Sequence, residues 1–182
     1  MTVVGAQIKA EADDILFRRG LLEIVRQYGA GFVGGSYSYD LMCWRDLDIY
    51  LLAPNITVAS FFELGGRVSE RFAAQKSFFT NNRGGSPNGL YWGVRLGDPR
   101  AGAWKFDIWG LDAADFQKHV DYAQDLRSRL TPEARETILA IKSQLWQSAE
   151  YRDNITSCQL YKAVLEHGVK TSDEFRRHIK SH

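Results

Sequence analysis

From Ala6 to Tyr28 the apolar positions Ile8, Ala12, Ile15, Leu16, Leu22 and Val25 recur at helical spacing, with Gly29 where a helix stop is expected. Gly20 divides this helix in two. The pattern then shortens: Gly31-Phe32-Val33-Gly34 is an apolar run closed by glycine, and Leu47 to Leu52 reads as a strand that Pro54 and Asn55 end. The interval between them has room for one short turn of helix. Thr57 caps a predicted helix over Val58 to Ala74, weakened at Gly65-Gly66 by about 1 kcal/mol per glycine relative to alanine. Three strands follow, Lys76 to Thr80, Leu90 to Leu96 and Trp104 to Trp109. Turn-rich segments separate them, and the last two are expected to form a hairpin.

Beyond Leu111 the periodicity is helical. A helix over Ala113 to Leu126 comes first, then Thr131 as a cap with Pro132 in the first helical position, and helices continue to the end. Thr171-Ser172-Asp173-Glu174 has the form of a capping box, which starts a last helix over Asp173 to Lys180. The pattern therefore predicts an α/β (α+β) fold, a mixed sheet of about four to five strands flanked by helices. Residues 1–112 form the α/β core and residues 113–182 a helical region packed on it. The 182 residues are enough to bury a sizeable core without a disulfide scaffold.

Composition narrows the class of function. The formal net charge of +1 lacks the basic surplus of a protein that grips nucleic acid by its phosphates, so a polynucleotide partner is not expected. Arg176-Arg177-His178-Ile179-Lys180 reads as the solvated face of a terminal helix. Cys43 and Cys158 are far apart, with no CxxC pair and no Cys/His run at metal-ligand spacing. No apolar stretch approaches a membrane span and Met1 to Ala6 has no signal-peptide character, which gives a cytoplasmic expectation with no membrane partner.

The chemistry concentrates between Val33 and Tyr50. A strand ending in Gly34-Gly35-Ser36 before a turn of helix forms an anion site: Gly35 lets a phosphate approach the backbone, and the Ser36 hydroxyl adds a donor. Asp46 and Asp48, two residues apart on a strand, project from one face with Cα atoms roughly 6.6 Å apart. Leu47, Ile49 and Leu51 take the other face. Asp107 lies between Phe106 and Ile108 and shares its face with Lys105 and Trp109, so a third carboxylate is available. Two carboxylates about 5 Å apart repel by roughly 3 kcal/mol at an effective dielectric of 20. Three together need cations, and two Mg²⁺ ions about 4 Å apart would neutralise them and assist an in-line displacement at phosphorus. Lys105 is a further candidate for reaching a phosphate. Ser36 is not a hydrolase nucleophile, because Tyr37-Ser38 follows it where G-x-S-x-G needs glycine at the second place. His119, His167, His178 and His182 have no acid or nucleophile at readable spacing and are assigned structural or surface roles.

The ordered set Gly35-Ser36, a nine-residue spacer, Asp46-Leu47-Asp48-Ile49 and then Phe106-Asp107-Ile108 resembles the signature of the nucleotidyltransferase superfamily typified by DNA polymerase beta, including its compact antibiotic-type members. The resemblance implies that Gly35 and Ser36 hold the β- and γ-phosphates of a nucleoside triphosphate such as ATP, and that Asp46, Asp48 and Asp107 ligate metal. It further implies that the third carboxylate helps activate the acceptor. The implied activity is Mg²⁺-dependent transfer of a nucleoside monophosphate to a hydroxyl of a small molecule or protein, with release of pyrophosphate. Tyr37, Tyr39 and Asp40 stand where several relatives carry small residues. This departure motivates the alternatives: a non-catalytic nucleotide- or partner-binding protein, and a toxin–antitoxin type enzyme that modifies a partner protein.

Overall fold

The computed structural model describes residues 3–151 and 155–181. Two helices open the chain, α1 (Val3–Asp13) and α2 (Leu21–Arg26), joined by a π-helical turn over Asp14–Arg18. Gly20 makes the break between them with φ +78, a left-handed conformation that side chains resist. Then come β1 (Ala30–Val33), the single turn α3 (Gly35–Ser38), β2 (Asp46–Leu52) and α4 (Val58–Arg71). As expected, Thr57 caps α4, its hydroxyl accepting from the Ser60 N–H at 3.0 Å.

Next follow β3 (Lys76–Asn82), β4 (Gly89–Arg95) and β5 (Lys105–Leu111). The five strands form one sheet in the order β1-β2-β5-β4-β3, with β2 parallel to β5 and every other pair antiparallel. The expected β4–β5 hairpin is formed. The β2–β5 pairing is a long-range contact that no local pattern announces, and its register sets Asp46 beside Lys105 and Asp48 beside Asp107.

One sheet face is apolar. Leu47, Ile49 and Leu51 of β2, Phe106 and Ile108 of β5, and Trp92 and Val94 of β4 pack with α1, α2 and α4 into a common core. Gly65 is required there, because a Cβ on it would meet the Trp92 ring at 2.2 Å, whereas Gly66 faces open space.

The chain ends in α5 (Ala113–Arg129), α6 (Pro132–Leu145), α7 (Ser157–His167) and α8 (Ser172–Lys180). Each begins on a cap: Asp112 accepts from Asp115 N–H, Thr131 from Ala134, Thr156 from Gln159 and Thr171 from Glu174. The reciprocal box is complete at Thr156 and Gln159. At the expected box, Glu174 instead accepts from the Lys170 N–H at 2.8 Å, one residue before the cap. Leu126, Ile138, Ile141, Leu145, Leu160 and Phe175 make a second core, which Tyr39 and Leu41 of the segment between α3 and β2 enter. α5 reaches the sheet where the His119 ring stacks on Tyr50 of β2 at 4.0 Å between centroids. Among the described residues no helix is long and apolar enough to cross a membrane.

Candidate active site

The polar face of the sheet carries the chemistry because strand alternation puts Leu47, Ile49, Phe106 and Ile108 on the other side. It presents Asp46 and Asp48 from β2, Lys105 and Asp107 from β5, and Tyr91 and Arg95 from β4. Asp46, Asp48 and Asp107 each offer a carboxylate oxygen, and the three oxygens lie within 4.8 Å of one another. The convergence that the resemblance implies, and that sequence spacing left open for Asp107, is therefore present in three dimensions. All the ligand atoms are hard oxygens, the donor set that Mg²⁺ and similar ions take, so these residues fit a divalent metal.

Two cations already share the cluster. Lys105 Nζ lies 2.9 Å from Asp46 Oδ1 as an ion pair, and donates to Asp107 Oδ2 at 2.6 Å. Arg95 donates to Asp107 Oδ1 at 2.9 Å, and the Tyr91 hydroxyl donates to the same oxygen at 2.8 Å. The carboxylates are thereby differentiated. Burial pushes Asp107 up, yet the Lys105 and Arg95 charges and the Tyr91 hydrogen bond outweigh it and hold Asp107 below the ordinary carboxylate range. At Asp48, burial and then the neighbouring Asp46 charge prevail, raising its pKa to about 8. Asp46 is raised too, by burial first, against the pull of Lys105.

The Gly34-Gly35-Ser36 turn is built against this cluster. The Gly34 N–H donates to the Asp48 carbonyl at 2.9 Å, which ties the end of β1 to β2. Gly35 has φ +58, and a Cβ there would sit 1.9 Å from Asp48 Oδ2. Both observations favour glycine: a side chain here would strain the backbone and displace the Asp48 carboxylate. Ser36 is 7% exposed and lies beside it.

The segment that follows is held by cations on its carbonyls. Lys9 donates to Tyr37 O at 2.7 Å, Arg127 to Ser38 O at 3.0 Å, Arg135 to Tyr39 O, and the fully buried Lys142 to Leu41 O at 2.9 Å. At its far end Arg45 forks onto Glu11 with contacts of 2.6 and 2.8 Å, anchoring the start of β2 to α1. Two of the three departures from the family pattern are absorbed here. The Tyr37 hydroxyl donates to Asp13 at 2.7 Å and Asp40, at φ 55, pairs with Lys9 at 3.2 Å, and neither residue lines the cavity above the carboxylates, whereas Tyr39 does.

That cavity has a volume of about 770 Å³ and includes Gly35, Ser36, Asp46, Asp48 and Lys105 in its walls. Its opposite side comes from the C-terminal helices, through His119, Tyr122, Cys158 and Tyr161. The sequence reading assigned His119 no site, yet it lines the cavity, half-buried, and burial lowers its pKa against the opposing pull of Asp115. Arg95 was also missed. Its signal was the alternation Tyr91, Gly93, Arg95 on β4, which acquires meaning once the hairpin register sets Gly93 beside Asp107.

No protein-family model matches the chain, and no curated protein matches its sequence. Solved structures do share the fold. A cytoplasmic RNA terminal U-transferase superposes with a TM-score of 0.53 at 13% identity, over 88% of this chain and 46% of that one. The Cid1 poly(U) polymerase, with magnesium and 3′-dATP bound, gives a TM-score of 0.55 at 12% identity, over 88% and 49%. A second Cid1 structure, described for its RNA terminal uridylyl transferase activity, gives 0.50 at 14% identity, over 88% and 46%. The chain thus spans about half the length of these proteins and shares their fold, the mixed sheet flanked by helices that the sequence predicts.

Proposed function

We propose that this protein is a metal-dependent nucleotidyltransferase that moves a nucleoside monophosphate from a nucleoside triphosphate to a hydroxyl of a small molecule or protein. The observation that carries the reading is the convergence of Asp46, Asp48 and Asp107 within 4.8 Å, directly against the Gly35-Ser36 turn. In this reading Gly35 and Ser36 receive the β- and γ-phosphates. The acidic cluster of Asp46, Asp48 and Asp107 would hold Mg²⁺, which when bound would supply Lewis-acid polarisation of the α-phosphate. Lys105 adds fixed positive charge to the reacting centre, between Asp46 and Asp107. The acceptor oxygen bonds to the α-phosphorus, the bond to the pyrophosphate oxygen breaks, and the acceptor proton passes to the carboxylate cluster. The enclosing C-terminal helices exclude water, which would otherwise compete as acceptor. The free thiols of Cys43 and Cys158 suit the cytoplasm.

Charge bears on the acceptor class. A net charge of +1 does not favour a polyanion, which supports a small molecule or protein. A second reading, transfer to an RNA end, is favoured by the activities named for the structural neighbours. The test incubates the protein with each α-labelled nucleoside triphosphate, Mg²⁺ or Mn²⁺, and a panel of small-molecule hydroxyls, proteins and RNA. Label transfer with pyrophosphate release, abolished in folded Asp46→Asn and Asp48→Asn proteins, is the expected result. Metal-dependent nucleotide binding without pyrophosphate release across the whole panel would establish the non-catalytic alternative instead.

A further inference from the structure

The β2–β5 register sets Lys105 beside Asp46 and two residues before Asp107 on the same strand, so its side chain rises between the two carboxylates. The ammonium lies 2.9 Å from Asp46 Oδ1 and 2.6 Å from Asp107 Oδ2. The side chain is 10% exposed, and the face of Trp44 covers it, with its ring centroid 5.1 Å from Nζ. A divalent ion bridging the same two oxygens, with metal–oxygen bonds of about 2.0–2.1 Å, would need the space that Nζ holds.

The charge count points the same way. Three carboxylates already face two fixed cations, Lys105 and Arg95. The site is also asymmetric. Gly35 abuts Asp48, so the phosphate-type turn lies on the Asp48 side, while Lys105 stands between Asp46 and Asp107.

Building on the nucleotidyltransferase reading, we propose that the protein works with a single divalent ion, held by Asp46 and Asp48 with the nucleotide, and that the Lys105 ammonium permanently occupies the post of the second ion, on the acceptor side. Two-ion sites place one ion on the leaving oxygen and one on the attacking oxygen. Here the attacking oxygen meets a fixed ammonium, which stabilises developing negative charge and donates a hydrogen bond. Lys105 is in this respect the counterpart of a metal, and it needs no free metal to fill the post.

The experiment counts ions without turnover. The whole chain is titrated with Mn²⁺ in the presence of non-hydrolysable α,β-imido analogues of each ribonucleoside triphosphate in turn. Bound Mn²⁺ is followed by electron paramagnetic resonance and calorimetry. The expected result is one uncoupled Mn²⁺ per wild-type chain, one in Lys105→Arg, and two in Lys105→Met. The pair in Lys105→Met should show the exchange coupling of ions about 3.5–4 Å apart. An exchange-coupled pair in the wild-type protein overturns the inference whether or not Lys105→Met folds, and leaves the nucleotidyltransferase reading standing. One ion in both wild type and a folded Lys105→Met overturns it as well, because Lys105 is then not what excludes the second. No Mn²⁺ bound with any analogue overturns both.

Discussion

Replacing Gly35 with alanine should separate the stability of this protein from its chemistry. The substitution imposes two costs. The backbone at φ +58 is left-handed, which costs an L-residue about 1–2 kcal/mol. The new Cβ would also lie 1.9 Å from Asp48 Oδ2, and that carboxylate must retreat by about 1.5 Å to reach ordinary contact at 3.4 Å. In a domain of this size each kcal/mol lowers the melting temperature by about 2–4 °C, so the backbone cost gives a fall of about 2–8 °C. The effect on transfer should be larger, since displacing a catalytic group by about 1 Å can cost about 100-fold. The assay is the initial rate of pyrophosphate release at saturating nucleotide and metal, with thermal melts of the same preparation with and without Mg²⁺. A double-mutant cycle with Asp48→Asn then asks whether the two residues act as a unit, in which case the double variant is scarcely worse than the worse single one. Wild-type turnover by a folded Gly35→Ala protein would refute the reasoning, because the turn would then not be set against a working carboxylate.

The two adjacent glycines of α4 should behave oppositely in chemical denaturation. Gly65→Ala drives a methyl into the Trp92 ring and should cost about 1–3 kcal/mol, whereas Gly66→Ala, in open space, should gain about 0.5–1 kcal/mol. Asp48, with a folded pKa of about 8 against an ordinary value of 3.8, is a carboxyl whose folded pKa is raised. It therefore contributes stability that is fully present below about pH 4 and is lost as pH rises through about 8. Urea midpoints measured in EDTA should accordingly fall for wild type between these limits and fall less steeply for Asp48→Asn; parallel profiles would contradict the assignment. Lys142→Ala leaves the buried Leu41 carbonyl without its donor and opens a cavity in the second core, so a loss of about 2–5 kcal/mol is expected from denaturant curves.

Much of the site was legible because its signals are local. Alternation along β2 put Asp46 and Asp48 on one face, and Gly35-Ser36 after an apolar run marked a turn able to take an anion. Both depend on residues adjacent in the chain, where backbone periodicity fixes direction. The helix caps at Thr57, Thr131 and Thr171 were readable for the same reason. Glu174 differed because the Lys170 N–H, one residue before the cap, claimed its carboxylate. The sequence also exposed its own departures, Tyr37, Tyr39 and Asp40, but not how Tyr37 and Asp40 are resolved. Asp13 and Lys9 lie 24 and more residues earlier, and α1 has to dock before either can take up its partner.

What the sequence determined by itself was an α/β chain with a motif resembling that of nucleotidyltransferases and three candidate carboxylates. Tertiary structure decided whether those carboxylates meet. Asp107 reaches Asp48 through a parallel pairing of strands separated by more than fifty residues, and the register of that pairing is set by burial of Leu47, Ile49, Phe106 and Ile108 on the far face. The same pairing put Lys105 between two carboxylates, and the hairpin brought Arg95 onto Asp107. Charge neutralisation at the site is therefore a property of register, because Coulomb energy depends on distance through space and sequence spacing specifies that distance only within one element.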